Sequence, residues 1–507
     1  MEQLSDNLVS ADDFPKVPLV LDGISARFIT QNLIIPCDVR DNTLRVIMAR
    51  PWDLDAKDAL SVATGHEIDA HGADETAVRD YLDKFFGKEA SVNKIIENIG
   101  DTSFEFKSEY DEDVDHLKGL ASEAPIIKLV NLLITRAIEG RASDIHIEPF
   151  DNELKVRYRI DGVLHDVESA PKRLQAAIIS RVKIMAKLNI AERRLPQDGR
   201  IKLKISSTEI DIRVSTIPVL YGESIVMRLL NKESIVIDLE RLGFPPELLK
   251  GFNSLIKKPH GIILVTGPTG SGKTTTLYGA LDKINTEDKK IITVEDPIEY
   301  HLNGVNQIQV KQQIGLSFAN TLRHIVRQDP DIIMIGEIRD LETAEIAIQS
   351  ALTGHLVFST LHTNDAPSAI TRLIDMGVEN FLLSSTLRGL LAQRLVRMIC
   401  PQCKGVDDTL ATPEELTMIG LGTDVKIYKG TGCEICSHTG FLGRSGIFEL
   451  MMIDNDARKL IMANADSAEL RKAARNSGMK TLLESGKDKV RQGITTIAEV
   501  LRVTQEV

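Results

Sequence analysis

The pattern of apolar and polar residues changes along the chain and predicts a series of domains. In residues 1–95, the short apolar runs 33–35 and 44–48 precede a helical pattern over Glu75–Phe86. This order predicts a small N-terminal α/β domain. The stretch 96–120 that follows is acidic and has no clear period, which is typical of a linker.

A second domain is predicted over 121–230. Apolar residues first recur there at helical spacing, and strand-like alternation then follows in 154–160 and 209–215. The segment 231–245 shows neither helical spacing nor strand-like alternation, and we interpret it as a hinge. It leads into the largest predicted domain, 246–507.

In this largest domain, short apolar runs alternate with helical patterns. The runs are 261–266, 291–294, 332–335 and 356–359. Such runs are typical of strands buried on both faces of a parallel sheet. A helix is predicted over Leu341–Leu352, with Gly354 placed to end it. We therefore expect an open α/β sheet with its functional residues at the carboxyl ends of the strands.

Composition narrows the classes of function. The 507 residues carry a formal net charge of −12 and only 4% aromatic residues. Non-specific nucleic-acid binding needs clustered positive charge, and base stacking needs aromatic side chains, so we expect no nucleic-acid partner. The acidic start has no apolar leader, and no apolar run reaches the roughly 20 residues of a membrane span. We therefore expect a cytoplasmic protein that meets membranes through a partner or a surface.

The strongest local motif is GPTGSGKT at 267–274, which matches G-x-x-x-x-G-K-[ST] between a predicted strand and a predicted helix. Its glycines let backbone N–H groups turn towards phosphate oxygens, and the helix N-terminus adds partial positive charge. Lys273 is expected to reach the β- and γ-phosphates of ATP, and the Thr274 hydroxyl to hold Mg²⁺. The expected nucleotide contacts are Gly267, Pro268, Thr269, Gly270, Ser271, Gly272, Lys273, Thr274 and Thr275.

Carboxylates at strand ends predict hydrolysis as well as binding. Glu295 closes one apolar run, while Asp331 precedes another and Glu337 follows it. ATP hydrolysis needs one carboxylate near Mg²⁺ and one to orient the attacking water. We expect Asp331 or Glu337 to help Thr274 hold Mg²⁺. Glu295 or Glu337 orients the water, and the sequence leaves both open.

Histidines and arginines near these motifs are candidates for contact with the phosphates. His355 and His362 flank a predicted strand that could sense the γ-phosphate. An arginine supplied by a neighbouring subunit is one way to stabilise transition-state charge, whereas a surface ion pair is the structural alternative for each arginine. The candidate arginines are Arg213, Arg228, Arg323, Arg327, Arg339 and Arg444.

Two C-x-x-C pairs predict a metal site in a subdomain at 396–445. Cys400 and Cys403 form one pair, and Cys433 and Cys436 form the other. Four thiolates with no open position suit a structural zinc ion. A disulfide or redox pair is the alternative, disfavoured in a reducing compartment. The fifth cysteine, Cys37, is expected to be a small buried apolar residue.

Taken together, these motifs resemble the type II secretion ATPases of the secretion and type IV pilus motor superfamily. The resemblance covers most of the chain and is densest from residue 124 to residue 448. It rests on RASDIHIEP (141–149), RLPQDGR (194–200), DIRVSTIP (211–218), GPTGSGKT (267–274), TVEDPIEY (293–300), VRQDPDI (326–332), GEIRD (336–340), TGHLVFSTLHTND (353–365) and the cysteine pairs.

The resemblance implies an architecture and a function. It implies a RecA-like motor domain, a PAS-like second domain and a homo-hexameric ring in which some of the arginines reach nucleotide across the subunit interface. It also implies that the N-terminal domain docks on a membrane-anchored secretion partner at the cytoplasmic face of the inner membrane. ATP hydrolysis would then drive assembly of a pseudopilus that exports folded proteins.

One departure bears on the choice within the superfamily. Type IV pilus extension ATPases share these motifs and often have a longer N-terminal region that binds cyclic di-GMP. Here we find one apparent unit of that region, around 18–54, which favours secretion over pilus extension. Retraction ATPases lack the cysteine pairs. Other classes are a nucleotide-gated scaffold, which the intact carboxylates disfavour, and a nucleic-acid translocase.

Overall fold

The computed structural model divides the chain into two compact units, Met1–Ser234 and Ile235–Val507. Most of the predicted linker and part of the predicted hinge lie outside the residues that it describes. Among the described residues, no helix is both long and apolar enough to cross a membrane. The residues described are 9–15, 19, 24, 28–29, 32–40, 42–86, 114–205, 208–231, 238–407, 420–421 and 425–505.

The first unit begins with a small three-stranded sheet. Strand β1 (Ile34–Arg40) is antiparallel to β2 (Thr43–Met48), which is parallel to β3 (Glu67–Gly72). Helix α1 (Leu54–Thr64) connects β2 to β3, and α2 (Glu75–Phe86) follows β3. Leu44, Val46 and Met48 of β2 face an apolar core that also receives Leu60 of α1, and Ile47 enters a second core on the other face.

A six-stranded antiparallel sheet forms the rest of the first unit, in the order β6-β5-β4-β9-β8-β7. Helix α3 begins inside the stretch that we predicted to be a linker, because its apolar residues Leu117 and Leu120 are buried. The strands are β4 (Ala142–Pro149), β5 (Glu153–Ile160), β6 (Val163–Pro171), β7 (Gln197–Ile205), β8 (Thr208–Val219) and β9 (Gly222–Asn231). The helices are α3 (Val114–Ala121), α4 (Ala124–Glu139) and α5 (Gln175–Met185).

The second unit is built on a seven-stranded sheet in the order β12-β11-β13-β14-β10-β15-β18. All neighbours are parallel except β15 and β18, so the sheet is mixed and the predicted α/β class is confirmed. Its strands are β10 (Gly261–Thr266), β11 (Ile291–Glu295), β12 (Val305–Gln309), β13 (Ile332–Ile335), β14 (Leu356–Leu361), β15 (Leu387–Ile399) and β18 (Phe441–Met452). The short strands β16 (Lys404–Val406) and β17 (Tyr428–Gly430) form a separate pair.

Helices cover both faces of this sheet. Every residue of β10, β11, β13 and β14 is buried, and alternate residues enter two different apolar cores. The helices are α6 (Pro246–Ile256), α7 (Lys273–Ile284), α8 (Phe318–Ile325), α9 (Leu341–Leu352), α10 (Ala366–Asp375), α11 (Asn380–Thr386), α12 (Asn455–Met462), α13 (Ser467–Asn476), α14 (Leu482–Arg491) and α15 (Ile497–Thr504). Short 3₁₀ helices lie at Ala11–Asp13, Lys172–Leu174, Gln312–Ile314, Val326–Gln328 and Glu434–Cys436.

Because β10, β11, β13 and β14 are parallel, their carboxyl ends share one edge of the sheet, which we call the carboxyl edge. The loop after β10 leads directly into α7 at this edge. The turns after β11, β13 and β14 lie along the same edge. Residues that precede these strands lie at the opposite edge.

Candidate functional site

The glycine-rich loop at 267–274 leaves β10 and enters α7 through backbone conformations that favour glycine. Gly267, Gly270 and Gly272 have φ values of 146°, 79° and 85°. A Cβ atom at Gly267 would lie 2.4 Å from the Gln393 carbonyl oxygen, and one at Gly272 would lie 2.8 Å from Gln393 Nε2. The loop therefore needs glycine both for its turn and for its close packing on β15.

Lys273 lies over this loop, where its ammonium group donates to the carbonyl oxygens of Gly267 at 2.7 Å and Pro268 at 3.0 Å. Burial lowers its pKa to about 8; the positive charge of Arg394 lowers it too, and the negative charge of Glu337 acts against both. The Ser271 hydroxyl oxygen is buried and has no hydrogen-bond partner among the described residues. A loop with a cation and unused donors fits a polyphosphate. Thr274 and Thr275 follow, half-buried, in the first turn of α7.

Glu337 follows β13 at the carboxyl edge and lies close enough to Lys273 to affect its pKa. One carboxylate oxygen pairs with Arg339, and the other lies 3.4 Å from His362 Nε2. Burial lowers the pKa of His362, and Lys273 lowers it further. The structure thus brings Lys273, Glu337, Arg339 and His362 together beside the phosphate loop.

Glu295 ends β11 on the same edge but is only 3% exposed. Its Oε1 accepts hydrogen bonds from Thr293 Oγ1 at 2.5 Å and from Gln307 Nε2 at 3.2 Å. Its Oε2 accepts one from the phenol of Tyr278, which lies on α7. The carboxylate of Glu295 is therefore held by three neutral donors.

Two predicted site residues lie at the opposite edge of the sheet. Asp331 precedes β13, and its carboxylate accepts from the backbone N–H of Lys290 at 2.7 Å. His355 precedes β14, and its Nδ1 lies 2.8 Å from the Ser350 carbonyl oxygen. The structure does not place either residue with the phosphate loop, which corrects Asp331 as a Mg²⁺ ligand and His355 as a phosphate sensor. Both predictions overlooked that a residue preceding a parallel strand lies at the amino end of that strand, away from the loop that follows β10.

The candidate arginines are dispersed. Arg339 contacts Glu337, but Arg323 pairs with Glu342 at 2.5 Å and Arg327 lies 2.9 Å from His324 Nδ1. Arg444 lies on β18. In the first unit, Arg213 on β8 and Arg228 on β9 are neighbours in register, and Arg228 pairs with Asp144 at 2.9 Å. Arg339 thus contacts a site residue, whereas Arg323 and Arg327 contact residues outside the site.

Sequence reasoning missed three residues packed against this site: Tyr278, Gln393 and Arg394. Gln393 is fully buried, and its Oε1 accepts from Thr276 Oγ1 of α7 at 2.7 Å. Arg394 is 4% exposed and donates to Asn364 Oδ1 at 2.9 Å. Two adjacent polar residues inside the otherwise apolar stretch 390–396 of β15 were the available signal, because such residues are rarely buried without a role.

The four paired cysteines form one cluster. The sulfur atoms of Cys400 and Cys433 lie 3.8 Å apart, those of Cys403 and Cys436 lie 3.9 Å apart, and those of Cys433 and Cys436 lie 3.7 Å apart. A tetrahedral zinc site with Zn–S bonds of about 2.3 Å has sulfur–sulfur distances of about 3.8 Å. The cluster therefore fits zinc, and none of the four cysteines is in a disulfide. Cys37 is half-buried in the first unit.

Family models match almost the whole chain. The model described as type II/IV secretion system protein matches residues 119–502, and the MshEN domain model matches residues 7–92. These matches confirm the resemblance inferred from the motifs.

Individual relatives agree with the family models. Type II secretion system protein E of Xanthomonas campestris pv. campestris is 52% identical over 98% of this chain and 87% of its own length. Type IV pilus assembly ATPase PilB of Myxococcus xanthus is 44% identical over 97% of this chain and 88% of its own. The crystal structure of the pilus retraction motor PilT with bound ADP superposes with a TM-score of 0.50 and 28% identity, over 74% of this chain and 96% of that one.

Proposed function

Because this chain belongs to the type II/IV secretion system protein family, we propose that it is the motor ATPase of a type II secretion system. The observation that carries the proposal is the 52% identity, over nearly the full chain, to a type II secretion system protein E. The site supports an ATPase: a phosphate loop and a half-buried lysine lie beside two strand-end carboxylates. The related motor PilT binds ADP in its crystal structure, which supports a nucleotide in the same loop.

We assign nucleotide binding to the loop and its helix. The backbone N–H groups of residues 267–274 and the N-terminus of α7 hold the β- and γ-phosphates, and Lys273 leaves its two carbonyl partners to contact them. Burial increases the strength of that contact, because charge interactions are stronger where water is excluded. His362 and Arg339 face the same phosphates from the turns after β14 and β13.

The two carboxylates have different surroundings and therefore different roles. Glu337 is paired with Arg339 and lies near His362 and Lys273, which suits the residue that, with Thr274, holds Mg²⁺. A Mg²⁺ ion held there would neutralise charge at the transferred phosphoryl group. Glu295 accepts hydrogen bonds from three neutral donors and not from a cation in these contacts, which suits the residue that orients the attacking water.

We assign roles to the remaining parts of the chain from its membership of the family. We propose a homo-hexamer at the cytoplasmic face of the inner membrane, in which the domain at 1–95 docks on a membrane-anchored platform protein. The PAS-like domain at 121–230 moves against the RecA-like motor at 246–507 when ATP is hydrolysed, and this movement drives pseudopilus assembly. Zinc in the cysteine cluster stabilises the subdomain at 396–445. Protein purified without chelator and found free of zinc would contradict this last assignment.

Type IV pilus assembly is the second candidate function, favoured by the 44% identity to PilB of Myxococcus xanthus over 97% of the chain. Deletion of the gene in its own host separates the two. Loss of exported enzymes from the medium with normal surface pili supports the secretion motor, and the reverse result supports the pilus motor. A Lys273→Ala copy should fail to restore whichever activity is lost.

Phosphate release by the purified full chain tests the enzyme and the division of roles. We expect Glu295→Gln to lower turnover to a small residual rate that no Mg²⁺ concentration raises, because a neutral amide cannot accept the proton of water. Glu337→Gln should also abolish turnover at ordinary Mg²⁺ while ATP binding stays near normal, and high Mg²⁺ should restore part of it. ATP binding is measured with a fluorescent analogue. Wild-type turnover in Glu337→Gln would remove that residue from the site.

A further inference from the structure

Tyr278 connects the phosphate-loop helix to the carboxylate that we assign to the attacking water. It lies in α7 about one turn after Lys273, is fully buried, and donates its phenol hydrogen to Glu295 Oε2. Helix α7 begins at the phosphate loop, and β11 ends at Glu295. The hydrogen bond therefore joins the element that holds the phosphates to the element that carries the carboxylate.

The bond also determines which acceptor direction of Glu295 is left for water. An ionised carboxylate offers about four acceptor positions. Two lie on Oε1 and are used by Thr293 and Gln307, and Tyr278 uses one on Oε2. The fourth lies on Oε2 beside the phenol. Its direction is therefore set by the bond from Tyr278.

The surroundings keep Tyr278 a donor. Burial, together with the negative charge of Glu295, raises the pKa of Tyr278 far above its ordinary value. The ring packs in the apolar core below the sheet and meets Tyr300 edge-on at 6.3 Å between ring centres. A fully buried phenol in an apolar core otherwise needs a partner for its hydroxyl, and here that partner is a candidate catalytic group.

We propose that Tyr278 is a positioning residue for Glu295: it holds the carboxylate so that the remaining lone pair of Oε2 points at the attacking water, and it transmits the position of the phosphate loop to that carboxylate. The inference rests on the proposed ATPase function. It predicts that the hydroxyl of Tyr278 affects the rate of hydrolysis and leaves ATP affinity unchanged, since its hydrogen bond goes to Glu295 and its ring meets Tyr300, both outside the phosphate loop.

The experiment compares Tyr278→Phe with wild-type full chain in steady-state phosphate release. We expect kcat to fall about 10- to 100-fold, the range seen when a group supporting a reactive ligand is removed, with KM for ATP unchanged. Tyr300→Phe is the matched control, because it removes a phenol from the same core without touching Glu295. It should keep wild-type kcat. Tyr278→Met replaces the Phe variant if that one is insoluble.

A double-mutant cycle separates positioning from loss of packing. If Tyr278 acts through Glu295, adding Tyr278→Phe to Glu295→Gln should lower the residual rate no further. The inference is overturned if Tyr278→Phe lowers the rate of Glu295→Gln by the same factor as it lowers the wild-type rate. It is also overturned if the wild type is active and Tyr278→Phe is unimpaired. Either result leaves the ATPase assignment intact. A wild-type chain that does not hydrolyse ATP in any condition overturns both.

Discussion

At the scale of single residues, two glycines of the phosphate loop are required for different physical reasons. Gly270 and Gly272 both have positive φ values, 79° and 85°. Around Gly270 a Cβ atom would meet nothing within 4 Å, whereas at Gly272 it would lie 2.8 Å from Gln393 Nε2. The first glycine is needed for conformation alone, and the second for conformation and close packing.

This contrast predicts unequal costs for the same substitution. Gly270→Ala should destabilise the nucleotide-free protein by about 1 to 2 kcal/mol, the cost of a left-handed conformation in a residue with a Cβ atom. Gly272→Ala should cost at least about 1 kcal/mol more, because the added methyl group displaces Gln393. Urea unfolding of both variants measures the difference. Equal costs would mean that Gln393 moves aside freely.

The residues that sequence reasoning found and missed differ in the range of their contacts. Lys273 and Glu337 were predicted because motif spacing and strand ends are local features. Gln393 and Tyr278 were missed because each matters through a partner far along the chain, Thr276 for Gln393 and Glu295 for Tyr278. Only the order of strands in the sheet places β15 and β11 on either side of β10, the strand that leads into α7.

At the scale of elements, α15 is attached to the sheet through one buried carboxylate. Glu499 is 3% exposed and accepts from Arg397 of β15 at 2.6 Å and from Arg502 of its own helix at 2.8 Å. Burial alone would raise the pKa of Glu499, but the bonds from Arg502 and Arg397 outweigh it and lower the pKa to about 2. The ionised carboxylate therefore stabilises the fold.

Glu499→Gln should destabilise the second unit by about 1.5 to 3 kcal/mol at pH 7, the net value of hydrogen bonds to charged groups. Because the folded pKa lies below the ordinary 4.5, this stabilisation is complete above pH 4.5 and is lost as the pH falls towards 2. The gap between wild type and variant in thermal unfolding should shrink over that window. Glu345→Gln, at an exposed position of α9, is the control and should show no gap at any pH.

The positions of the strands and helices were largely predictable from the sequence, but the direction in which each strand runs in the sheet was not. The apolar runs at 261–266 and 332–335 coincide with β10 and β13, since strands buried on both faces have no polar positions. A run of four or five apolar residues does not by itself show whether its strand runs parallel to β10. For that reason Asp331 and Glu337 were equal candidates, and the parallel order of the strands was needed to separate them.

At the scale of the whole molecule, the candidate arginines belong to both units. Arg213 lies in the first unit and the phosphate loop in the second. In the hexamer that we propose, a site could be completed by an arginine of the same chain or of its neighbour. Mixing two inactive variants distinguishes these cases, because only an arginine acting in trans allows one subunit to supply what the other lacks.

Lys273→Ala keeps Arg213 but cannot bind phosphate, and Arg213→Ala keeps the phosphate loop but lacks the arginine. Each variant alone should be inactive. In randomly mixed rings at equal amounts, a site is whole when an intact loop faces an intact arginine, so we expect about a quarter of wild-type phosphate release. Lys273→Ala mixed with Glu337→Gln should stay inactive, because both residues belong to one loop-side site. An inactive first mixture would show that Arg213 acts within its own chain, since then no subunit in the ring would hold both groups.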